Sequence, residues 1–74
     1  GAPVRKWLQT PALRDYVQKK LLGKEVRVHD HLEEGGLSDF VRRTLQGDDQ
    51  KSYYRLWVIL CLELWLRAHH NETL

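Results

Sequence analysis

From Leu56 to Leu62 every side chain is apolar, and between Leu56 and Leu66 the only charge is Glu63. Plotted at about 100° per residue, these apolar positions go all the way round a helical cylinder, the pattern of a helix buried on every side. The stretch Ser52–Arg67 is therefore expected to be a helix that needs neighbours on all faces. The chain has 74 residues, at most one domain, and chains this short bury only about 60% of the surface that their unfolded form exposes. Few residues remain to enclose a Leu- and Trp-rich helix. Its missing neighbours have to come from further copies of the chain or from the rest of a longer polypeptide.

A bilayer is the other home for an all-round apolar helix, and length argues against it. Eleven residues rise roughly 17 Å, against a hydrocarbon core of ~30 Å, and Arg55, Glu63 and Arg67 interrupt the run. Its Trp and Tyr residues are spread around the helix instead of forming a belt, and no Lys/Arg cluster flanks it. No membrane partner is expected. The N-terminus lacks the apolar region of a signal peptide, so a reducing cytoplasm is the expected compartment, and the Asn71-Glu72-Thr73 sequon carries no meaning there. Cys61 is the sole cysteine, which excludes an intramolecular disulfide and a cysteine metal cluster. Inside the apolar run it reads as a small core residue with a protonated thiol.

The net charge of +2 hides an uneven distribution. Residues 1–28 carry seven Lys/Arg against Asp15 and Glu25, whereas residues 29–74 carry five against eight Asp/Glu. The basic part reads as a solvated helix face and not as a nucleic-acid patch. A helix-turn-helix would cast Arg42, Arg43 and Gln46 as the outward side of a recognition helix. The connection preceding that helix is far longer than the tight turn of the motif, and no nucleic-acid partner is expected.

In chain order, Val4, Trp7 and Leu8 suggest a short helix with one apolar side. Thr10-Pro11 marks the start of a second: Thr10 can cap free amides, and Pro11 suits the first helical position. That helix runs to about Leu22 with Leu13, Tyr16, Val17 and Leu21 on one side and Arg14, Gln18 and Lys19 opposite. Gly23 offers a left-handed stop. Val26-Arg27-Val28 alternates like a short extended piece, and Glu33 to Gly36 reads as a loop. A third helix opens with Ser38 as N-cap, lines Leu37, Val41, Thr44 and Leu45 inward, and stops at Gly47. Asp48 or Asp49 caps a fourth, which runs to about His70 and terminates at Asn71. The expected fold is all-α: a small bundle of about four helices around a hydrophobic C-terminal helix, with residues 1–74 as one helical subdomain.

No Gly-rich phosphate loop, G-x-S-x-G, C-x-x-C or H-E-x-x-H occurs, and no residue has the setting of a nucleophile. His29-Asp30-His31 on an extended strand would point both imidazoles the same way, but two histidines do not close a tetrahedral site, and loop histidines are the default. Glu63 and Arg67 at i, i+4 form a helix-stabilising pair, with contact to a neighbouring domain as the other use of a carboxylate in so apolar a helix. No catalytic, cofactor-binding or metal-binding residue is assigned.

Tyr54-Arg55-Leu56-Trp57 followed by Leu62-Glu63-Leu64-Trp65-Leu66-Arg67 resembles the last helix of glutamine-dependent asparagine synthetases, which reads R-L-W, a few apolar residues, then E-L-W-L-R. Pro3-Val4-Arg5-Lys6-Trp7-Leu8, then Pro11 and Leu13-Arg14-Asp15, is similar to that family's P-x-x-x-W-L and P-L-R-(D/E). Gly36-Leu37 through Val41 to Leu45 and Gly47 is similar to its penultimate helix. The chain departs at Ala12, at Gln9-Thr10 where Arg-Gly is usual, and over Lys24 to Glu34. The resemblance implies a parent ligase that adenylates a carboxylate, normally that of aspartate, with Mg and ATP, and then transfers ammonia released from glutamine. The family's N-terminal cysteine nucleophile and S-G-G-x-D-S loop do not occur here. The chain would be the C-terminal helical end of a larger α/β synthetase domain, structural in role and binding no cofactor itself. Its partner would be the rest of that domain, through the helix bearing Trp57 and Trp65. The alternative is a stand-alone interaction module that forms homo-oligomers through the same helix.

Overall fold

In the computed structural model, which describes residues 3–69, the chain is all-α. Its helices are α1 (Val4–Leu8), α2 (Pro11–Leu22), α3 (Glu34–Gln46) and α4 (Gln50–His69), with a 3₁₀ turn at Arg27–Asp30. The start of α2 lies where Pro11 demands it: Thr10 is extended, and the amide of Arg14 donates to its carbonyl at 2.9 Å. The Thr10 hydroxyl, however, caps no amide. It donates backward to the Trp7 carbonyl at 2.7 Å and so closes the end of α1. Val17 and Leu21 are the buried residues of α2, while Leu13 and Tyr16, expected inward, lie at its exposed edge. Arg14, expected outward, turns in to donate to the Leu45 carbonyl at 2.6 Å and caps the end of α3.

Gly23 ends α2 with an extended backbone (φ −73°, ψ −178°) and not with the expected left-handed one. Glycine is needed there for room: a Cβ would stand 2.9 Å from the Lys19 carbonyl oxygen. Beyond it, Val26 and Val28 are both buried as alternation implies, yet the backbone coils into the 3₁₀ turn instead of extending. Turn formation lets the amide of Leu32 donate to the Val28 carbonyl at 2.8 Å.

The third helix begins a turn earlier than expected. Glu33, not Ser38, is the N-cap residue, and Gly35 and Gly36 are helical. The first-turn amides of a helix lack an intrahelical acceptor whatever the residue, and Glu34 places negative charge against the positive end of the helix dipole. Leu37, Val41, Thr44 and Leu45 face inward as their spacing requires. At Gly47 the helix stops, the Gly47 amide donating to Arg43 and Thr44 carbonyls, both at 3.2 Å. After a link of residues 47–49, Asp49 caps α4, accepting from the Ser52 amide at 3.1 Å and the Ser52 hydroxyl at 2.7 Å. Those two bonds, the hydroxyl first, hold the Asp49 carboxyl below its ordinary range. Asp48 instead accepts from Gln9 at 2.8 Å, fastening α1 to the α3–α4 link. Tyr53, fully buried, donates to the Gly47 carbonyl at 3.1 Å and anchors the same corner. The proposed stop at Asn71, and His70, lie outside the described residues.

Candidate interaction surface

The inner face of α4 is where the single charge of the apolar run is used. Tyr53, Leu56, Leu60 and Glu63 are the buried residues of the helix, one side of the cylinder at i, i+3, i+7 and i+10. Glu63 is inaccessible to solvent. Its carboxylate accepts from the amides of Val28 at 2.8 Å and Arg27 at 3.1 Å, and from the Arg67 guanidinium. It thus supplies, from a distant helix, the cap that the 3₁₀ turn lacks. Burial is the largest single influence on Glu63 and raises its pKa. The Val28 amide, Arg67 and the Arg27 amide together outweigh it and hold the carboxyl below its ordinary value. Arg67 also donates to the Lys20 carbonyl at 3.1 Å, capping α2. The expected helix-stabilising pair is present, and its second task is to lock the chain's own loop and α2 onto α4.

The outer face of α4 departs from the expectation of burial on every side. Tyr54, Val58, Leu62 and Trp65 are exposed, Trp65 by 56% and Val58 by 50%. Cys61, expected in the core, is exposed beside them. These positions recur at i, i+4, i+7, i+8 and i+11, an apolar stripe about 17 Å long. The reason is geometric: the molecule measures 20 Å along its shortest axis, about two helix diameters, so the helices that cover one side of α4 leave the other bare. Trp57 sits at the boundary, half-buried, with its ring edge-on to Trp7 at 6.3 Å. Trp65 stacks on His69, one turn along the same helix, at 4.4 Å between ring centres. The stripe continues sideways into a shallow apolar hollow that Phe40, Tyr54, Arg55, Val58 and Ile59 line.

Among the described residues no group of three His, Cys, Asp or Glu converges. The histidines at 29 and 31 do not act as a pair: His29 is largely buried with Nε2 3.0 Å from the Leu21 carbonyl oxygen, while His31 is exposed. His69 has Nδ1 2.8 Å from the Trp65 carbonyl oxygen, one turn back along α4. No helix of the described residues is long and apolar enough to cross a membrane. What the arrangement can do chemically is bind an apolar surface. Sequence reasoning missed the inward roles of Arg14 and Arg67 as caps. Set against known proteins, the chain matches no protein family, no curated protein and no solved structure.

Proposed function

We propose that this chain is the helical C-terminal part of the synthetase domain of an asparagine synthetase-like, ATP-dependent, glutamine-hydrolysing amidotransferase. Its role there is structural, and the outer face of α4 packs on the body of that domain. The observation that carries the reading is the stripe Tyr54, Val58, Leu62 and Trp65, which stays exposed among the described residues. The residues of the resemblance divide accordingly. Leu56, Glu63 and Arg67 hold the subdomain together, while Leu62 and Trp65 face outward. In such a parent, Mg and ATP would activate the acceptor carboxylate in the α/β core, and no step would fall to a residue of this chain.

The test is to read the coding sequence upstream in frame and to assay the encoded polypeptide. The expected result is an S-G-G-x-D-S loop and glutamine-dependent amide formation with release of AMP and pyrophosphate, lost when Val58→Glu and Trp65→Glu are introduced together. A frame that opens just before Pro3, or activity indifferent to both substitutions, would defeat the proposal. In the first event the stand-alone module that oligomerises through α4 takes its place.

A further inference from the structure

The outer face of α4 changes character along its length. Val58, Cys61, Leu62, Trp65 and Ala68 are exposed and uncharged, whereas the first turns expose Lys51 and Arg55 around Tyr54. The one carboxylate of α4, Glu63, is turned inside. From α1, exposed Lys6 joins the same end, since it lines one depression with Gln50 and Tyr54 while Lys51 and Arg55 line the next together with Asp49. Of the acids nearby, Asp48 is bound to Gln9 and Arg5, while Asp49 bonds Ser52 and also feels the Lys51 charge, so a single carboxylate stands beside three cations. Among the described residues neither Lys6 nor Arg55 has an ion-pair partner.

We infer that the surface covering α4 is an apolar ridge that presents carboxylates opposite Lys6, Lys51 and Arg55. The inference rests on the reading that a partner body covers this face, and it adds the chemistry of that body. Closing an apolar surface over Tyr54 strips water from three cations, and uncompensated charge at a closing interface is costly. Carboxylates on the partner offset this and fix the direction in which α4 lies. A second copy of the chain is a poor occupant. Laid parallel, it sets cations against cations, and laid antiparallel, it sets them against Trp65 and His69. In neither arrangement does the described outer face of α4 supply a carboxylate. Anionic lipid is also disfavoured, because the cations gather at one end of the stripe instead of flanking it.

The test uses two synthetic amphipathic helices of equal length with identical leucine faces, one flanked by Glu and the other by Lys. Each is titrated calorimetrically into the 74-residue chain, alongside phosphatidylglycerol vesicles. The Leu/Glu helix is expected to bind about tenfold more tightly at low salt, with the preference shrinking as salt rises. The preference should vanish in the Lys6→Glu, Lys51→Glu, Arg55→Glu variant, whose exposed positions leave helicity unchanged by circular dichroism. Equal affinities, a preference for the Leu/Lys helix, no binding of either helix, or a preference that survives the charge reversal would each overturn the inference. Tighter binding to the vesicles than to the Leu/Glu helix would also overturn it and assign the face to lipid. The parent reading is judged separately, by the upstream frame and its amidation activity, so either can fail alone.

Discussion

Glu63 shows how much one residue can organise in so small a molecule. Its carboxylate satisfies two amides of the 3₁₀ turn and pairs with a guanidinium that caps α2. Removing one partner of a buried charged pair leaves the others unsatisfied at a cost of about 3–5 kcal/mol, a large share of the total stability of a small domain. Glu63→Ala should therefore leave the chain largely unfolded in urea concentrations that the natural sequence withstands. Glu63→Gln, which keeps an acceptor oxygen, should cost less. Because the folded-state pKa of Glu63 is depressed, its contribution is complete above the ordinary carboxylate range. On acidification the unfolded chain takes up the proton first, and the stabilisation is lost as pH falls through the folded-state value. The urea midpoint should fall as pH is lowered below about 5, through the ordinary carboxylate range and beyond it, and the drop should be shallower in Glu63→Gln. An unchanged slope in that variant would remove Glu63 from this role. A charge inside an apolar run was plain in the sequence. Its acceptor role was not, because the donors lie 35 and 36 residues away, inside a segment whose alternation reads as extended.

At the level of elements, punctuation worked where it acts through covalent geometry and failed where it acts through space. Pro11 fixed the start of α2, and Asp49, one of two acids proposed, caps α4. Gly35-Gly36 read as a break, yet both are helical, since the apolar stripe from Leu37 and the charge of Glu34 favour starting the helix before them. Gly35→Ala and Gly36→Ala should therefore stabilise the fold, by up to about 0.5–1 kcal/mol each, as a Cβ meets nothing nearer than 3.7 Å and 4.0 Å respectively. Gly23→Ala should do the opposite despite an ordinary φ, because the new methyl would press on the Lys19 carbonyl. Thermal melts of the three variants decide the matter. A Gly23→Ala protein that melts higher than the parent sequence would show that the close approach is not what requires glycine.

The whole molecule follows from an imbalance between one long helix and the little that surrounds it. The sequence made legible that Leu56–Leu66 carries more apolar surface than a chain of this size can enclose, and that the architecture is helical throughout. Which side would stay bare was not legible. That depends on α1, α2 and α3 all packing on α4, whose buried residues are Tyr53, Leu56, Leu60 and Glu63, with the Glu63–Arg67 node tying the 3₁₀ turn and α2 to that face. Val58→Glu in the isolated chain should accordingly leave circular dichroism and the melting midpoint nearly unchanged, whereas Leu60→Glu, on the inner face, should abolish the fold. Equal damage from both substitutions would mean that α4 has no spare face.

Cys61, the chain's single thiol, sits on the outer face and reports directly on whether something covers it. Its alkylation by iodoacetamide can be followed by mass spectrometry of the peptide that contains it, in the folded 74-residue chain and in the longer polypeptide read from the upstream frame. Ready labelling is expected in the isolated chain, and, where the upstream frame encodes a longer polypeptide, labelling slowed at least about tenfold in it, as for a thiol closed off from solvent. Equal labelling rates in the two would contradict the claim that α4 offers this face to the body of a larger domain.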